Sequence, residues 1–387
     1  MKKLLIITIL GLLLFGFKPV QAFTIRILIL KNADKIEIFT PKSLEIAEKQ
    51  SPIPIFIGGS EGARCTITLS GGNILINKVR IGHSPILVRS IPPAALRVNG
   101  RRYRGELEIR KTGDSLKAIN IIDLEGYLYG VIRREISPNW PMEAVKAQAV
   151  AARTFVHANL GRHENEGYDL CSSYHCQVYG GMESEEFRSI EAVDITEGEI
   201  LTYNGKLINA IYHATCGGHT ADTSLVWAGK ELHYLKGVIC PFCKESPHYS
   251  WCYQISLDKI KAALEKNGYA LGPIHNISPS KKDKAGRIGE LIINHGQKKT
   301  KMNASAFRFA LGPSNLRSTL FELNNTGKAI LFQGFGWGHG VGMCQWGAKK
   351  MAELGFNYKE ILGYYYPDTQ ISTCSLDLVS APQRVSK

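Results

Sequence analysis

The chain has 387 residues and a formal net charge of +13, long enough for two or three domains and a large hydrophobic core. Beyond residue 22 no continuous apolar run approaches the roughly 20 residues that a membrane-spanning helix needs, which excludes a bundle of membrane helices. The positive surplus fits either a polyanionic partner or solubility alone.

In chain order, residues 1–22 come first. Lys2 and Lys3 precede an apolar run from Leu4 to Phe17, and Val20-Gln21-Ala22 offers a small-residue cleavage site. This is the layout of a secretory signal peptide, with the mature start near Phe23. The leader carries Lys2, Lys3 and Lys18 and no acid, so its loss leaves +10. The expectation is an exported protein of the periplasm or cell envelope, the alternative being an uncleaved N-terminal segment that tethers it there. Export argues against nucleic acid as the polyanion; cell wall and anionic lipid are what such a protein meets.

Residues 23–110 form a β-rich N-terminal region. Short apolar segments such as Ile25–Leu30, Lys35–Phe39 and Gly105–Ile109 alternate with Gly58-Gly59, Gly71-Gly72 and Asn99-Gly100, the punctuation of strands and turns. The texture changes at Asp123, a helix cap ahead of Leu124, Leu128, Val131 and Ile132 at helical spacing. Pro138 closes that helix, and Pro141 opens a second whose buried stripe is Met142, Val145, Ala149, Ala152 and Val156. It runs to about Leu160, with Gly161 as its stop. Glu135 therefore lies at the junction of two helices, where a side chain can point into a cleft. The plainer reading is a solvated helix-end carboxylate paired with Arg133 or Arg134.

Strand character returns at Glu199–Tyr203, with Asn204-Gly205 as a hairpin turn before Leu207–Tyr212. Residues 258–266 read as helix, 277–302 as a Lys-rich exposed hairpin or mobile insertion, 334–342 as a Gly-rich segment and Gln345–Leu354 as a last helix. The composite is α+β.

Nine cysteines are present, an odd number that disulfides alone cannot consume. Cys171, His175 and Cys176 form a tight cluster of soft sulfur and imidazole suited to tetrahedral zinc; a disulfide is the alternative. Cys240-Pro241-Phe242-Cys243 has redox spacing, but the loop after it lacks the helix that lowers a redox thiol's pKa. That pair reads as disulfide-bonded or metal-linked, with Cys216 or Cys252 as partners, a second zinc site from Cys240, Cys243 and Cys252 included. The Gly-rich run around His339 lets backbone approach a bulky ligand closely. It lacks the Lys-Ser/Thr ending of a phosphate loop, so nucleotide binding is rejected.

Four segments in order resemble the stage II sporulation protein D (SpoIID) family. They are residues 121–156, with Glu135 and Arg153; Cys171-Ser172-Ser173-Tyr174-His175-Cys176-Gln177-Val178-Tyr179-Gly180; Tyr212-His213-Ala214-Thr215-Cys216-Gly217-Gly218-His219-Thr220; and Gly336–Ala348, with His339 and Gln345. The resemblance covers roughly 24–375 and implies a catalytic region over 111–387: a β-rich periphery around a two-helix active-site element. It implies a lytic transglycosylase that cuts peptide-stripped (denuded) peptidoglycan glycan between N-acetylmuramic acid and N-acetylglucosamine, leaving 1,6-anhydro ends, in septal or sporulation wall remodelling. An N-acetylmuramoyl-L-alanine amidase would be its functional partner. Glu135 corresponds to the family's catalytic glutamate, although Glu135-Ile136-Ser137-Pro138 stands where Glu-Met-Pro is common. Arg153, Tyr212, His213, His339 and Gln345 become candidate substrate-binding residues, Arg153 by gripping the lactyl carboxylate in bidentate fashion. Some members bind zinc near Cys171, His175 and Cys176 with an upstream histidine, for which His163 is the candidate here, in a structural role; no organic cofactor is implied. The competing readings are a non-catalytic wall-binding or amidase-modifying protein, and a zinc-dependent hydrolase. The sequence leaves oligomeric state open.

Overall fold

The computed structural model describes residues 23–49, 54–58, 61–81, 85–227 and 232–374; the expected leader lies outside them. The fold is α+β, built on three main apolar cores.

The first core lies between two sheets. A seven-stranded sheet runs in the spatial order Leu170–Cys171, Thr24–Ala33, Ser115–Asp123, Glu106–Thr112, Ile86–Ile91, Ser43–Glu48, Ile55–Ile57, and a six-stranded sheet in the order Arg101–Tyr103, Leu96–Val98, Lys35–Thr40, Ala63–Ser70, Asn73–Ile76, Val79–Arg80. Alternate side chains from both meet inside, among them Ile25, Ile27, Leu107 and Ile109 against Ile36, Ile38, Ile67 and Ile76. Period-two patterning in the sequence thus becomes one shared interior. The strand Glu106–Thr112 crosses the boundary expected at residue 110 and pairs on both its sides, so the β-rich region and the helical region after it share a core.

The strand Ser115–Asp123 feeds directly into helix α1, Leu124–Glu135, whose cap Asp123 accepts the Gly126 N–H at 2.7 Å. Helix α2, Met142–Ala158, comes next. Its predicted stripe, Val145, Ala149, Ala152 and Val156, packs into the first core, while Ala147, Val150 and Ala151 on another face enter the second. A helix buried on both sides is tolerable only if apolar nearly all round, and its alanines allow close approach. Trp140 of the first core meets Trp346 of the second edge-on at 5.2 Å, beside this junction.

The second core also takes the helices Gln345–Glu353 and Tyr358–Tyr365 and residues around Cys240 and Cys344. The expected hairpin forms at Asn204-Gly205, both with positive φ, as the favoured two-residue turn requires. Its return strand is short, Lys206–Leu207, and the chain then leaves the sheet. The third core spans 250–335: two three-stranded sheets with helices Leu257–Lys266 and Ala304–Leu311. The Lys-rich stretch is an antiparallel hairpin there, Ile274–Lys282 with Ile288–His295, whose Ile277, Leu291 and Ile293 point inward. Among the described residues no helix is long and apolar enough to cross a membrane.

Candidate active site

Glu135 is the last residue of α1. Ile136, the cap, turns to extended backbone, buries its side chain and still donates its N–H to the Ile132 carbonyl at 3.0 Å. The helix thus stops cleanly with the carboxyl at its C-terminal end, where the helix dipole disfavours negative charge. Among the described residues no cation reaches ion-pair distance of this carboxylate; Arg133 and Arg134 are exposed. Its Oε1 accepts one backbone N–H, from Val178, at 3.1 Å. Oε2 has no protein partner among the described residues, and the side chain is half-buried rather than sealed. Desolvation outweighs the Val178 bond and the Arg134 charge and lifts the carboxyl to about 7. A carboxyl near neutrality can donate a proton and later take one back. Glu143, the other acid of the motif, differs. Burial alone would raise it, but Lys146 at 2.7 Å and the Tyr358 N–H at 2.9 Å outweigh that and hold it low.

The loop 171–180 supplies the Val178 N–H, and its placement depends on Gly130 of α1. A Cβ there would stand 2.6 Å from the Tyr179 ring, and the Gly130 carbonyl accepts the Gly180 N–H. Glycine costs helix stability; here it admits the loop. Gln177 ties the same loop down. Its Oε1 accepts from the Tyr127 hydroxyl at 3.2 Å, and its Nε2 donates to the Ala152 carbonyl and, at 2.9 Å, to the Tyr212 hydroxyl. One buried amide therefore links α1, α2 and the strand Tyr212–His213. Burial and the nearby Glu135 carboxylate push the Tyr212 phenol well up, so it stays neutral.

The same loop carries the Cys/His cluster. The ligand atoms of His163, Cys171, His175 and Cys176 all lie within 4.8 Å of one another. Cys176 Sγ is 3.5 Å from both His163 Nε2 and His175 Nδ1, and Cys171 Sγ is 3.8 Å from His175 Nδ1. Zn–S and Zn–N bonds of ordinary length in a tetrahedron put such donors about 3.5 Å apart. On its other side, His163 Nδ1 meets the Glu166 carboxylate at 2.9 Å, the outer partner that orients a ligating imidazole. These four residues could hold a metal ion.

The family model described as Stage II sporulation protein matches residues 112–203, which hold α1, α2 and the cluster. A second, described as a domain of unknown function, matches 242–342 and contains most of the third core. The chain is 36% identical over 275 residues to an uncharacterized protein of Brachyspira hyodysenteriae, covering 71% of this chain and 73% of that protein. It is 32% identical over 274 residues to stage II sporulation protein D of Bacillus subtilis, covering 66% and 76%. This chain belongs to the stage II sporulation protein D family. It is also 30% identical over 294 residues to the amidase enhancer of Bacillus subtilis, covering 64% of this chain and 40% of that one.

Within this SpoIID chain the expected binding residues divide. Tyr212 stands beside Glu135. Arg153 does not reach a cleft: it is 1% exposed and grips Glu125 through two bonds, at 2.8 and 2.6 Å, with the Val193 and Glu199 carbonyls on its remaining donors. The bidentate geometry expected for a substrate carboxylate is real, but its partner is internal. His213 is buried with Nδ1 on the Val341 carbonyl at 3.0 Å, and burial holds it well below its usual range. The half-buried His339 accepts the Val341 N–H at 3.1 Å, bonds to the Tyr212 backbone and is pushed down to about 3 by burial and the Arg308 and Arg287 charges. Both are held as neutral imidazoles, 5.5 Å apart edge to face. Gln345 is buried too, donating to Gln148 of α2 at 3.2 Å. Cys252 is exposed, so it does not complete a site with Cys240 and Cys243; Cys216 and Cys344 join them instead.

Sequence reasoning passed over Gln177, Glu166 and Gly130. Gln177 sat inside a quoted motif, and a glycine amid a helical pattern is a signal of close approach. Glu166 carried no signal, because its value depends on where His163 points.

Proposed function

We propose that the protein is a peptidoglycan lytic transglycosylase acting on denuded glycan, with Glu135 as its only acid–base group. What supports this reading is one observation: a half-buried carboxyl, free of any cation contact, lifted to about 7 by desolvation. Protonated Glu135 gives its proton to the glycosidic oxygen as the bond to muramic acid C1 breaks. The muramic acid C6 hydroxyl attacks C1, and the carboxylate takes that hydroxyl's proton. The bond broken and the bond formed share C1, the proton returns to Glu135, and no water enters. Hydrolytic glycosidases use two carboxylates; Glu143 is tied to Lys146 and Tyr358, and an internal nucleophile removes the need for a second. Neutral Tyr212 and the Gln177 amide line the carboxyl's surroundings without adding charge.

The long, open shape of a glycan strand suits a groove rather than a closed pocket. The hollows lined by Leu201, Leu362 and Thr369 and by Tyr203, Leu207 and Tyr234 do not include Glu135. Zinc on His163, Cys171, His175 and Cys176 would hold the loop that presents Val178 N–H, a structural task. The protein works outside the cytoplasm, in the cell envelope, on strands that an amidase has stripped of peptides.

The likeness to an amidase enhancer favours a second reading, in which the protein binds wall and raises amidase activity without cutting glycan. Mass spectrometry of denuded glycan after incubation separates the two. Anhydro ends, lost in Glu135→Gln, are the expected result. Reducing ends would make the enzyme a hydrolase. No cleavage, with amidase stimulation intact in Glu135→Gln, would establish the second reading instead.

A further inference from the structure

We propose that Cys216, Cys240, Cys243 and Cys344 bind a zinc ion as a tetrathiolate, a structural centre in the second core separate from the Cys/His cluster beside Glu135. The inference is independent of the reading of Glu135. All four residues are buried, 0–1% exposed, and their sulfurs lie within 4.8 Å of one another, with Cys216 and Cys243 at 3.4 Å. Two disulfides would gather these sulfurs as two close couples; a single compact group of four is the arrangement of tetrahedral zinc held by thiolates alone, whose sulfurs sit about 3.8 Å apart. Cys240 and Cys243 have the two-residue spacing of a zinc turn, on the 3-10 helix Pro241–Cys243.

Donors already point at the sulfurs. The Cys216 N–H donates to Cys344 Sγ at 3.2 Å, and the Gly218 N–H to Cys216 Sγ at 3.4 Å. The Gly217 backbone bonds Cys243, and the Tyr365 hydroxyl lies 3.2 Å from Cys240 Sγ. Thiolates on a metal are stabilised by such outer partners.

Charge supplies the independent argument. Arg287 is 1% exposed and donates to the Cys216 carbonyl, while its Nε and Nη1 have no hydrogen-bond partner among the described residues. Its guanidinium passes so close to Gly340 that a Cβ there would collide with Cζ. Asp283 uses Oδ1 on the Arg287 backbone N–H and makes no ion pair with the guanidinium. With four neutral thiols, the buried Arg287 guanidinium would have only the Asp283 carboxylate, beyond ion-pair distance, to balance it, which is costly. Four thiolates around Zn2+ carry a net charge of about −2, a negative centre beside the Arg287 guanidinium, which feels the Cys216, Cys243 and Cys344 sulfurs. The centre would join segments more than a hundred residues apart, Cys216 and Cys344, and anchor the strand Tyr212–His213, which carries Tyr212, to the strand Met343–Cys344.

The test uses the full-length protein. In a Cys171→Ser/Cys176→Ser background, metal analysis after gel filtration should find about one zinc per chain, lost when Cys344→Ser is added. No zinc in that background overturns the proposal. Because Cys344→Ser risks misfolding, native alkylation of the wild type provides a second readout, with exposed Cys252 as the reactive control. The four cysteines should resist alkylation until a chelator is added and then react. Reaction without chelator, or protection released by reductant alone, or protection that neither agent releases, each overturns it.

Discussion

The two ends of α1 each carry a glutamate, and they have opposite surroundings. Glu125, in the first turn, lies where the helix dipole favours negative charge and is clasped by the buried Arg153 guanidinium. Glu135, in the last turn, lies where the dipole opposes charge, with one backbone N–H for company. The first joins α1 to α2 and the helix Phe187–Ile195, whose Val193 carbonyl shares the same guanidinium. The second is left with a proton to exchange. A carboxylate with its charge fully compensated is architecture; one deprived of compensation is available for chemistry.

The sharpest way to break this contrast is Glu135→Gln. Glycan cleavage should fall by about 10²–10⁴-fold, the range for loss of an acid–base group, with circular dichroism unchanged; retained anhydro products would end the assignment. Next in size, Arg153→Ala should cost about 3–5 kcal/mol in denaturant melts, because it strands a partly buried Glu125. If the variant kept full stability yet lost glycan binding, Arg153 would be a ligand residue after all. Wild-type cleavage should fall as pH rises through about 7, when Glu135 loses the proton it must donate.

The same shift has a stability signature. The folded carboxyl titrates near 7 and the unfolded one near 4.5, so between these values the folded state holds more protons and stability falls as pH rises. Glu135→Gln removes that penalty. The variant should be more stable than wild type above about pH 7, by up to about 3 kcal/mol, with the difference fading toward pH 4.5. Partial exposure of the side chain makes that figure an upper bound. A difference that stays flat across pH would mean a solvated carboxyl. Gly130→Ala should have the smallest effect, slowing cleavage by about tenfold through displacement of Tyr179 and the Val178 N–H. Unchanged rates would show that the loop's position does not tune the acid.

Much was legible without coordinates. Asp123, Pro138 and Pro141 bracket the two helices, and the apolar spacing of Val145, Ala149, Ala152 and Val156 names the buried face of α2, because capping and periodicity are local properties of the chain. The placement of Glu135 between helices came from the same signals, and the short spacing of Cys171, His175 and Cys176 marked three members of the cluster, whereas His163 was implied only by the resemblance to the family. Arg153 was different. A guanidinium's ability to grip a carboxylate is visible in the residue type, but which carboxylate it grips depends on a neighbour twenty-eight positions away.

The sequence by itself determined the elements, the helix junction and the chemical repertoire, since these depend on residues within a few positions of one another. Only the tertiary structure decided that Glu135 is poorly solvated, that His213 and His339 both bond the Val341 backbone, and that Cys344 rather than Cys252 completes the buried group of four. Desolvation, ion pairing and ligand sets are sums over atoms brought together from distant parts of the chain, and no local pattern encodes that sum.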